Sequence, residues 1–518
     1  MNVLRFTFAF LLAFSGVIQV SAQLPTWVDD IAPLIHDHCS RCHHVGGAGP
    51  FPLITYEDVF FTASEDLHAM QEGEMPPWPA DPSYNHFVGE NYLTDSEVAL
   101  FEEWCDTGMD YGDESVVVEA PDYGPEGSNL ETVDFVAAIP DYTLQSNNEE
   151  YRWFVIPTDF DVVKYIQAVE VMPGLSAAVH HADIFVDITG TSMQYDMTDP
   201  LPGFNGSTGW PTNTTYINAW QPGALPCRYP DGWGIPVPPG ADLVIEIHYG
   251  PDFAGQIDNT VMNLEWVDEP LSEIRTVYAG WLLGTGAMTD GPLVIPPNEV
   301  VTFHQESSNI FVNDMTMLSI CPHMHLLGKS YKVWMENPEG DSIPLIDIPQ
   351  WDFEWQFYYR FLSPVKYSVG STFFTEGVYD NTTWNEDNPN DPPIYVYNGS
   401  LTTDEMFLVY FIYTNYEDGD EDLVFEIIDG VNTVVSPSDP DAINLYPNPA
   451  RESFTIEGYS AGSRAVIREA SGKFIDSFTL TDFNSATYYC SALASGLYTV
   501  EIFNESIGAR HTKPLVIE

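Results

Sequence analysis

Residues 319–331 read SICPHMHLLGKSY, and the fold class turns on reading this stretch as a strand. Successive strand side chains point to opposite faces, so His323 and His325 share a face and can grip one metal ion. Cys321, two residues earlier, lies on the same face. Thirteen histidines in 518 residues yield a His-x-His in roughly one such chain in three, so the pair needs company before it means a metal. The surroundings extend the strand reading. From about Thr132 to Val435 one strand pattern follows another (YRWFVI, KYIQAVEV, DLVIEIHYG, MFLVYFIY), separated by turn clusters such as DNPNDPP. That alternation predicts β-sandwich architecture.

Bulk composition sets outer limits. The 77 acidic against 16 basic residues give a formal charge of −61, which disfavours nucleic acid and anionic membrane surfaces as partners. Residues 1–22 carry Arg5, an apolar run and a Val20-Ser21-Ala22 cleavage pattern, the signature of a signal peptide. No later stretch is apolar and long enough to span a bilayer, so no transmembrane segment is expected. Six cysteines in a chain of this size are too few for a disulfide scaffold.

Cys39-Ser40-Arg41-Cys42-His43 is the c-type haem attachment pattern. Two thiols bond to the haem edge while the adjacent imidazole becomes an axial iron ligand. Chance yields C-x-x-C-H in such a chain only roughly a few thousandths of a time. The other readings are a lone disulfide or half a zinc site, and zinc needs a fourth ligand. Helical patterns over Trp27–His38 and Thr55–Gln71, and a capping box at Thr94–Glu97, surround the motif. Met75 in MPPW is the chosen distal ligand, with Met70, His68 and His86 as the other candidates. The stretch resembles a small class I-like cytochrome c domain, which implies covalently bound haem and electron transfer.

Three features give the opening histidines company: His180-His181 in SAAVHHADIFV, His248 ending LVIEIHYG, and Met406 in TTDEMFLVYFIY. On a regular strand His180 and His181 face opposite ways, so sharing a metal requires a strand end, bulge or strong twist. Taken alone, each fits a core residue better than a ligand. The set resembles the copper type II, ascorbate-dependent monooxygenase family, which includes dopamine β-monooxygenase and the peptidylglycine α-hydroxylating enzymes. AVHHADIF, AWQPGALPCRYPDGWG, IEIHYG, CPHMHLLGKSY, DFEWQFYYRF, YDNTTWNEDNPNDPP and TTDEM occur in the family's order between about Tyr151 and Tyr413. The resemblance implies two jelly-roll-like antiparallel β-sandwich domains and two copper ions. One would be held by His180, His181 and His248, the other by His323, His325 and Met406. It also implies O2 activation at the second site, with the first storing and delivering an electron.

The donor chemistry is consistent with that division. A thioether is soft and favours Cu(I), whereas an all-imidazole site tolerates both oxidation states. Tyr410 matches a tyrosine of the peptide-amidating branch. That branch also uses an arginine where this chain has Cys321, so a C-terminal glycine peptide is disfavoured as substrate. Cys321 has three readings: lining the pocket, pairing with Cys227, or remaining an inert core thiol.

The last segment, with NLYPNPA at 444–450 and the SGLY turn at 495–498, resembles the C-terminal sorting domain of the type IX secretion system. It implies export and the secretion machinery as a partner. The expected organisation is a signal peptide at 1–22, a small α-helical cytochrome c-like domain at 23–113, and an acidic linker at 114–131. Two β-sandwich domains follow at 132–270 and 271–435, then a linker at 436–441 and a small C-terminal β-sandwich at 442–518. The chain is thus expected to be multidomain and mainly β. The expected function is an exported haem–copper monooxygenase acting on O2 and a small organic substrate. An ascorbate-like reductant or the fused cytochrome would donate electrons, the haem passing them to the all-imidazole copper. The alternative is a non-catalytic haem or copper electron-transfer or copper-binding surface protein.

Overall fold

The structure is a computed structural model. It describes residues 24–517 apart from 46, 120, 122–127, 129, 131, 207–213, 309, 429–430, 436–443, 447–449, 452, 458–462, 470–473, 481–484, 491–492, 494–495 and 505–508. The signal peptide and the 436–441 linker therefore lie outside the described residues. Strands make up 41% of the chain and helices 13%, in several sheets, so the molecule is mainly β.

Two compact units divide the chain. The first comprises residues up to 40, 52–76 and 93–122; the second takes 41–51, 77–92 and everything from 123 onward. In the first, a π-helical turn Trp27–Ile31 runs into helix Ala32–His38, followed by helices Tyr56–Glu72 and Asp95–Asp106. Both longer helices start where their capping boxes dictate. The Thr55 and Thr94 hydroxyls accept from the N3 amides, and the N3 carboxylates of Asp58 and Glu97 reach back to the cap amides. Their inner faces meet around Trp27, Ile31, Phe101 and Trp104.

In the second unit a five-stranded antiparallel sheet runs in the order Phe204–Asn205, Glu150–Pro157, Asp242–Tyr249, Val179–Asp187, Thr214–Trp220. A four-stranded sheet runs Val300–Ser308, Thr372–Asp380, Gly328–Glu336, Ser342–Ile348. An eleven-stranded sheet holds strands from both halves of the 132–435 region. It crosses from one half to the other where Arg275–Leu283 lies parallel to Trp233–Val237, pairing Arg275 with Trp233. One apolar core gathers mainly residues 137–264 and a second mainly residues 283–411. A third core, around Phe454, Ile467, Val500 and Leu515, belongs to the C-terminal sheets.

Arg275 anchors the crossing point. Its guanidinium stacks 3.9 Å from the Trp233 ring and donates to both carboxylate oxygens of Asp420. Burial raises the Asp420 pKa, but hydrogen bonds from Arg275 and Thr316 outweigh that and hold it below the ordinary value. A depressed folded pKa means stability that is present above the unfolded value of about 4 and lost as pH falls through the folded one. Asp420→Asn leaves a largely buried guanidinium with only the exposed Glu417 carboxylate, 3.8 Å away, as its charge partner, so about 1–3 kcal/mol should be lost near pH 7. The gap to the parent should shrink below pH 4, which denaturant unfolding at pH 7 and pH 3 measures. An equal loss at both would show that the carboxylate's charge is not the cause.

Candidate metal-binding cavity

His181 and His248 face each other across the central strands of the five-stranded sheet, where Asp242 pairs with Asp187 and the register runs to His248 opposite His181. There it shifts: Tyr249 pairs with Val179, leaving His180 as the extra residue of a bulge. The bulge is what two adjacent histidines need to reach one point. One ring nitrogen from each of His180, His181 and His248 lies within 4.8 Å of the other two. An ion with bonds of about 2.0 Å holds its nitrogens no more than about 4 Å apart, so small side-chain rotations close the site. His248 is 1% exposed, and neither ring nitrogen has a hydrogen-bond partner. Its ring stacks on Tyr151, with centroids 4.1 Å apart and planes 6° from parallel. A buried imidazole stacked in place with no hydrogen-bond partner on either nitrogen suits a metal ligand better than a structural histidine.

The second histidine pair departs from the sequence expectation in one respect. The strand Met315–His323 ends at His323, so His325 lies beyond it, on the link into the turn at Leu326-Leu327. The alternation nevertheless continues: Met324 is buried in the second core, while Cys321, His323 and His325 line a common cavity. The two rings are 5.1 Å apart and nearly perpendicular. His323 Nδ1 donates to Gln356 Oε1, and His325 Nδ1 donates to the Asp404 carbonyl at 3.1 Å. In each ring Nε2 then carries the lone pair, the usual arrangement of a metal-binding histidine.

Met406 follows the fully buried Glu405. The Glu405 carboxylate accepts from the amides of His325 at 2.9 Å, Leu327 at 2.7 Å and Met406 at 3.3 Å. One buried acid thus ties the histidine turn to the methionine. Burial pushes its pKa up to about 8 against those donors.

His181, His323, His325, Met406 and Tyr410 all line one cavity of about 710 Å³. Tyr410 pairs with Cys321 across adjacent strands, with its ring 6.4 Å from His323 and 5.1 Å from Tyr216. Burial lowers the pKa of His323 to about 3, and lowers those of His325, His181 and His248 as well. These four imidazoles are therefore neutral, the form that binds metal. His180 is shifted upward by its contact with Glu354. Cys321 and Cys227 are both thiols, so the disulfide reading is corrected. Cys321 is a buried wall of the cavity, and Cys227 accepts instead from Arg360 Nη1 at 3.3 Å.

Several residues here carried no signal in linear spacing. Phe353, Glu354 and Gln356 occupy one short segment that reaches both clusters. Phe353 lies edge-on to His325, Glu354 Oε2 is 3.6 Å from His180 Nε2, and Gln356 holds His323. Gln221 donates to the Gln356 backbone carbonyl. Asp183 and Glu246 also pair across the sheet and line the cavity. Burial raises both pKa values, that of Asp183 to about 7. Gln356→Leu removes the acceptor that orients His323. On the copper reading that the resemblance implies, affinity at the His323 cluster should fall about 10–100-fold with that of the other cluster unchanged, measured by competitive Cu(I) titration. An equal loss at both clusters would assign Gln356 a general structural role.

The haem signature is divided between the two units after Ser40. In the first unit Cys39 caps helix Ala32–His38 and is buried, Met70 is buried in the core, and Met75 is 38% exposed. His68 is exposed on helix Tyr56–Glu72. In the second unit His43 Nδ1 donates to the Phe51 carbonyl at 3.0 Å, which leaves Nε2 as the lone pair an iron would take. A Cβ on Gly49 would come 2.7 Å from that Nδ1, so glycine lets the backbone approach the ring. Cys42 Sγ lies so close to Gly223 (φ +81°) that a Cβ there would meet it at 2.9 Å. His86 is exposed and bonded to Glu90.

Comparison with known proteins bears on the tail. Residues 444–518 match the family described as the secretion system C-terminal sorting domain. No curated protein sequence matches the chain. Among solved structures it is similar to PorZ, a surface component of the type IX secretion system of Porphyromonas gingivalis. Identity is 20% and the TM-score 0.15 over 19% of this chain and 15% of that one. It is also similar to the BSP domain of a biofilm-associated protein, at 7% identity and a TM-score of 0.18 over 76% and 84% of the two chains. Among the described residues no helix is long and apolar enough to cross a membrane. The C-terminal segment is a type IX secretion sorting domain, which marks the chain for export to the cell surface or beyond.

Proposed function

We propose that this chain is an exported haem–copper monooxygenase that inserts one oxygen atom of O2 into an aliphatic C–H bond of a small organic molecule. The reading is carried by the convergence of His323, His325, Met406, Tyr410 and His181 on one cavity, beside the three-imidazole cluster. The same residues carry the resemblance to the copper type II monooxygenases, together with its two jelly-roll-like sandwiches. His180, His181 and His248 would hold one copper ion and His323, His325 and Met406 the other. Copper supplies the one-electron chemistry that O2 requires, and the thioether favours the reduced ion.

The chain's own residues do the rest. Gln356 and the Asp404 carbonyl orient the two imidazoles, and Glu405 holds the Met406 backbone beside them. Tyr410 and Cys321 wall the space between. The lining carries Glu149, Asp183, Glu246 and Glu354, whereas its arginine, Arg152, is already bonded to Asp199 at 2.9 and 3.1 Å. Burial pushes Asp183 and Glu246 toward the neutral acid, whereas Glu149 and Glu354 are held below the ordinary carboxylate value by His248 and His180. With no free cation among its described residues, such a lining favours a cationic or neutral substrate over a carboxylate. The overall balance is R–H + O2 + 2e⁻ + 2H⁺ → R–OH + H2O. The electrons would come from an ascorbate-like donor or from a c-type haem, which Cys39, Cys42, His43 and Met75 would hold and which would supply one-electron transfer.

Metal and haem analysis of the mature protein, followed by oxygen uptake with amine, neutral and carboxylate compounds of equal size, tests the reading. Bound copper and haem should be found, with O2 uptake matched one to one by hydroxylated product from the amine or neutral compounds. Metal-bound protein that cycles electrons without forming product would identify a non-catalytic electron carrier and overturn the proposal.

A further inference from the structure

We propose that Glu149 and Glu354 complete the His180/His181/His248 cluster as carboxylate ligands, making it a site built for a divalent ion. The inference rests on the metal reading of that cluster and goes beyond the three imidazoles the resemblance implies. Glu354 Oε2 lies 3.6 Å from His180 Nε2, and Glu149 Oε2 lies 3.6 Å from His248 Nε2. The two acids come from unrelated segments. Glu149 immediately precedes strand Glu150–Pro157, and Glu354 lies ahead of strand Tyr359–Tyr367. Both line the cavity onto which His181 opens. An independent observation points to a ligand here: His248, 1% exposed, has neither ring nitrogen hydrogen-bonded. An ion at that point would satisfy the imidazole and lie within reach of both carboxylates.

Charge counting gives the consequence. Three imidazoles, neutral once each gives its lone pair to a metal, add nothing and two carboxylates add −2, which balances a divalent ion and leaves a monovalent one overcompensated. The second cluster differs. Its donors are two imidazoles and a thioether, all uncharged, and the Glu405 carboxylate next to Met406 is occupied by three backbone amides. Hard carboxylate oxygens suit the divalent ion, whereas the soft sulfur suits Cu(I). The two sites are thus set for opposite oxidation states by which side chains surround them. Both glutamates are more than half exposed, so replacing them by the isosteric glutamine disturbs little packing.

The test loads the full chain with Cu(II) alone and compares it with Glu149→Gln, Glu354→Gln and the double variant by EPR and by competitive Cu(II) and Cu(I) titration. In the double variant one of the two Cu(II) signals should change and that site's Cu(II) affinity should fall at least tenfold, with Cu(I) affinity unchanged. For a one-electron couple a tenfold selective loss corresponds to a rise of about 59 mV in potential. A double variant with unaltered EPR and unaltered Cu(II) affinity overturns the carboxylate assignment while leaving the copper sites standing. A parent protein that binds no copper overturns the site itself, and this inference with it.

Discussion

Isoleucine in place of Met406 should lower substrate-coupled oxygen uptake by more than about 100-fold, since losing a ligand costs more than losing the partner that orients one. The fold should survive. The Met406 backbone is held from both sides by contacts that ignore its side chain: its amide donates to Glu405 at 3.3 Å, and its carbonyl accepts from the Tyr379 hydroxyl at 2.7 Å. Only the thioether is exchanged, for an apolar group of similar bulk that has no lone pair. Copper analysis should then show the three-imidazole ion retained and Cu(I) affinity lost at the His323/His325 pair. Full turnover with isoleucine at 406 would remove the thioether from the chemistry and sink the assignment of that cluster as the oxygen-activating one.

What the sequence disclosed follows the range of the forces involved. Local rules held where they are local. The Thr94 capping box starts its helix where the spacing says, the helical pattern over 55–71 appears as Tyr56–Glu72, and the strand end, bulge or twist that His180-His181 required is supplied as a bulge. The strand reading of 319–331 held to His323 and again from Gly328, but as two strands and not one. Between them the chain enters the turn at Leu326-Leu327, and alternation, which fixes which side chains face inward, outlasted the backbone pairing. Export was legible in NLYPNPA because a sorting tail is a short contiguous signal. The surroundings of the clusters were not legible. Glu354 meets His180 from 174 positions away in sequence, and Glu405 collects amides from residues 78 to 80 positions distant. No periodicity encodes such meetings; they arise only when sheets assemble.

Hydrogen bonding separates a ligand histidine from a structural one at position 248. A structural histidine is stabilising because its nitrogens are bonded; His248 is buried with neither bonded. Leaving such a group unsatisfied costs about 1–3 kcal/mol. Phenylalanine keeps the flat ring stacked on Tyr151 and removes the unsatisfied atoms, giving up only a 3.6 Å contact with the Glu149 carboxylate, itself 55% exposed, worth about 0–1 kcal/mol. Metal-free His248→Phe should therefore unfold at the same temperature as the metal-free parent or a higher one. With copper the order should reverse. At a free concentration 100 times Kd, binding adds about 2.7 kcal/mol to the parent, and the variant gains nothing at that site. Its copper stoichiometry should drop by one ion, with coupled oxygen uptake down more than about 100-fold, as for any lost ligand. Thermal unfolding with and without copper decides the matter. If the metal-free variant is destabilised as much as the copper-loaded one, His248 is a packing residue, and the three-imidazole cluster loses its claim to a metal.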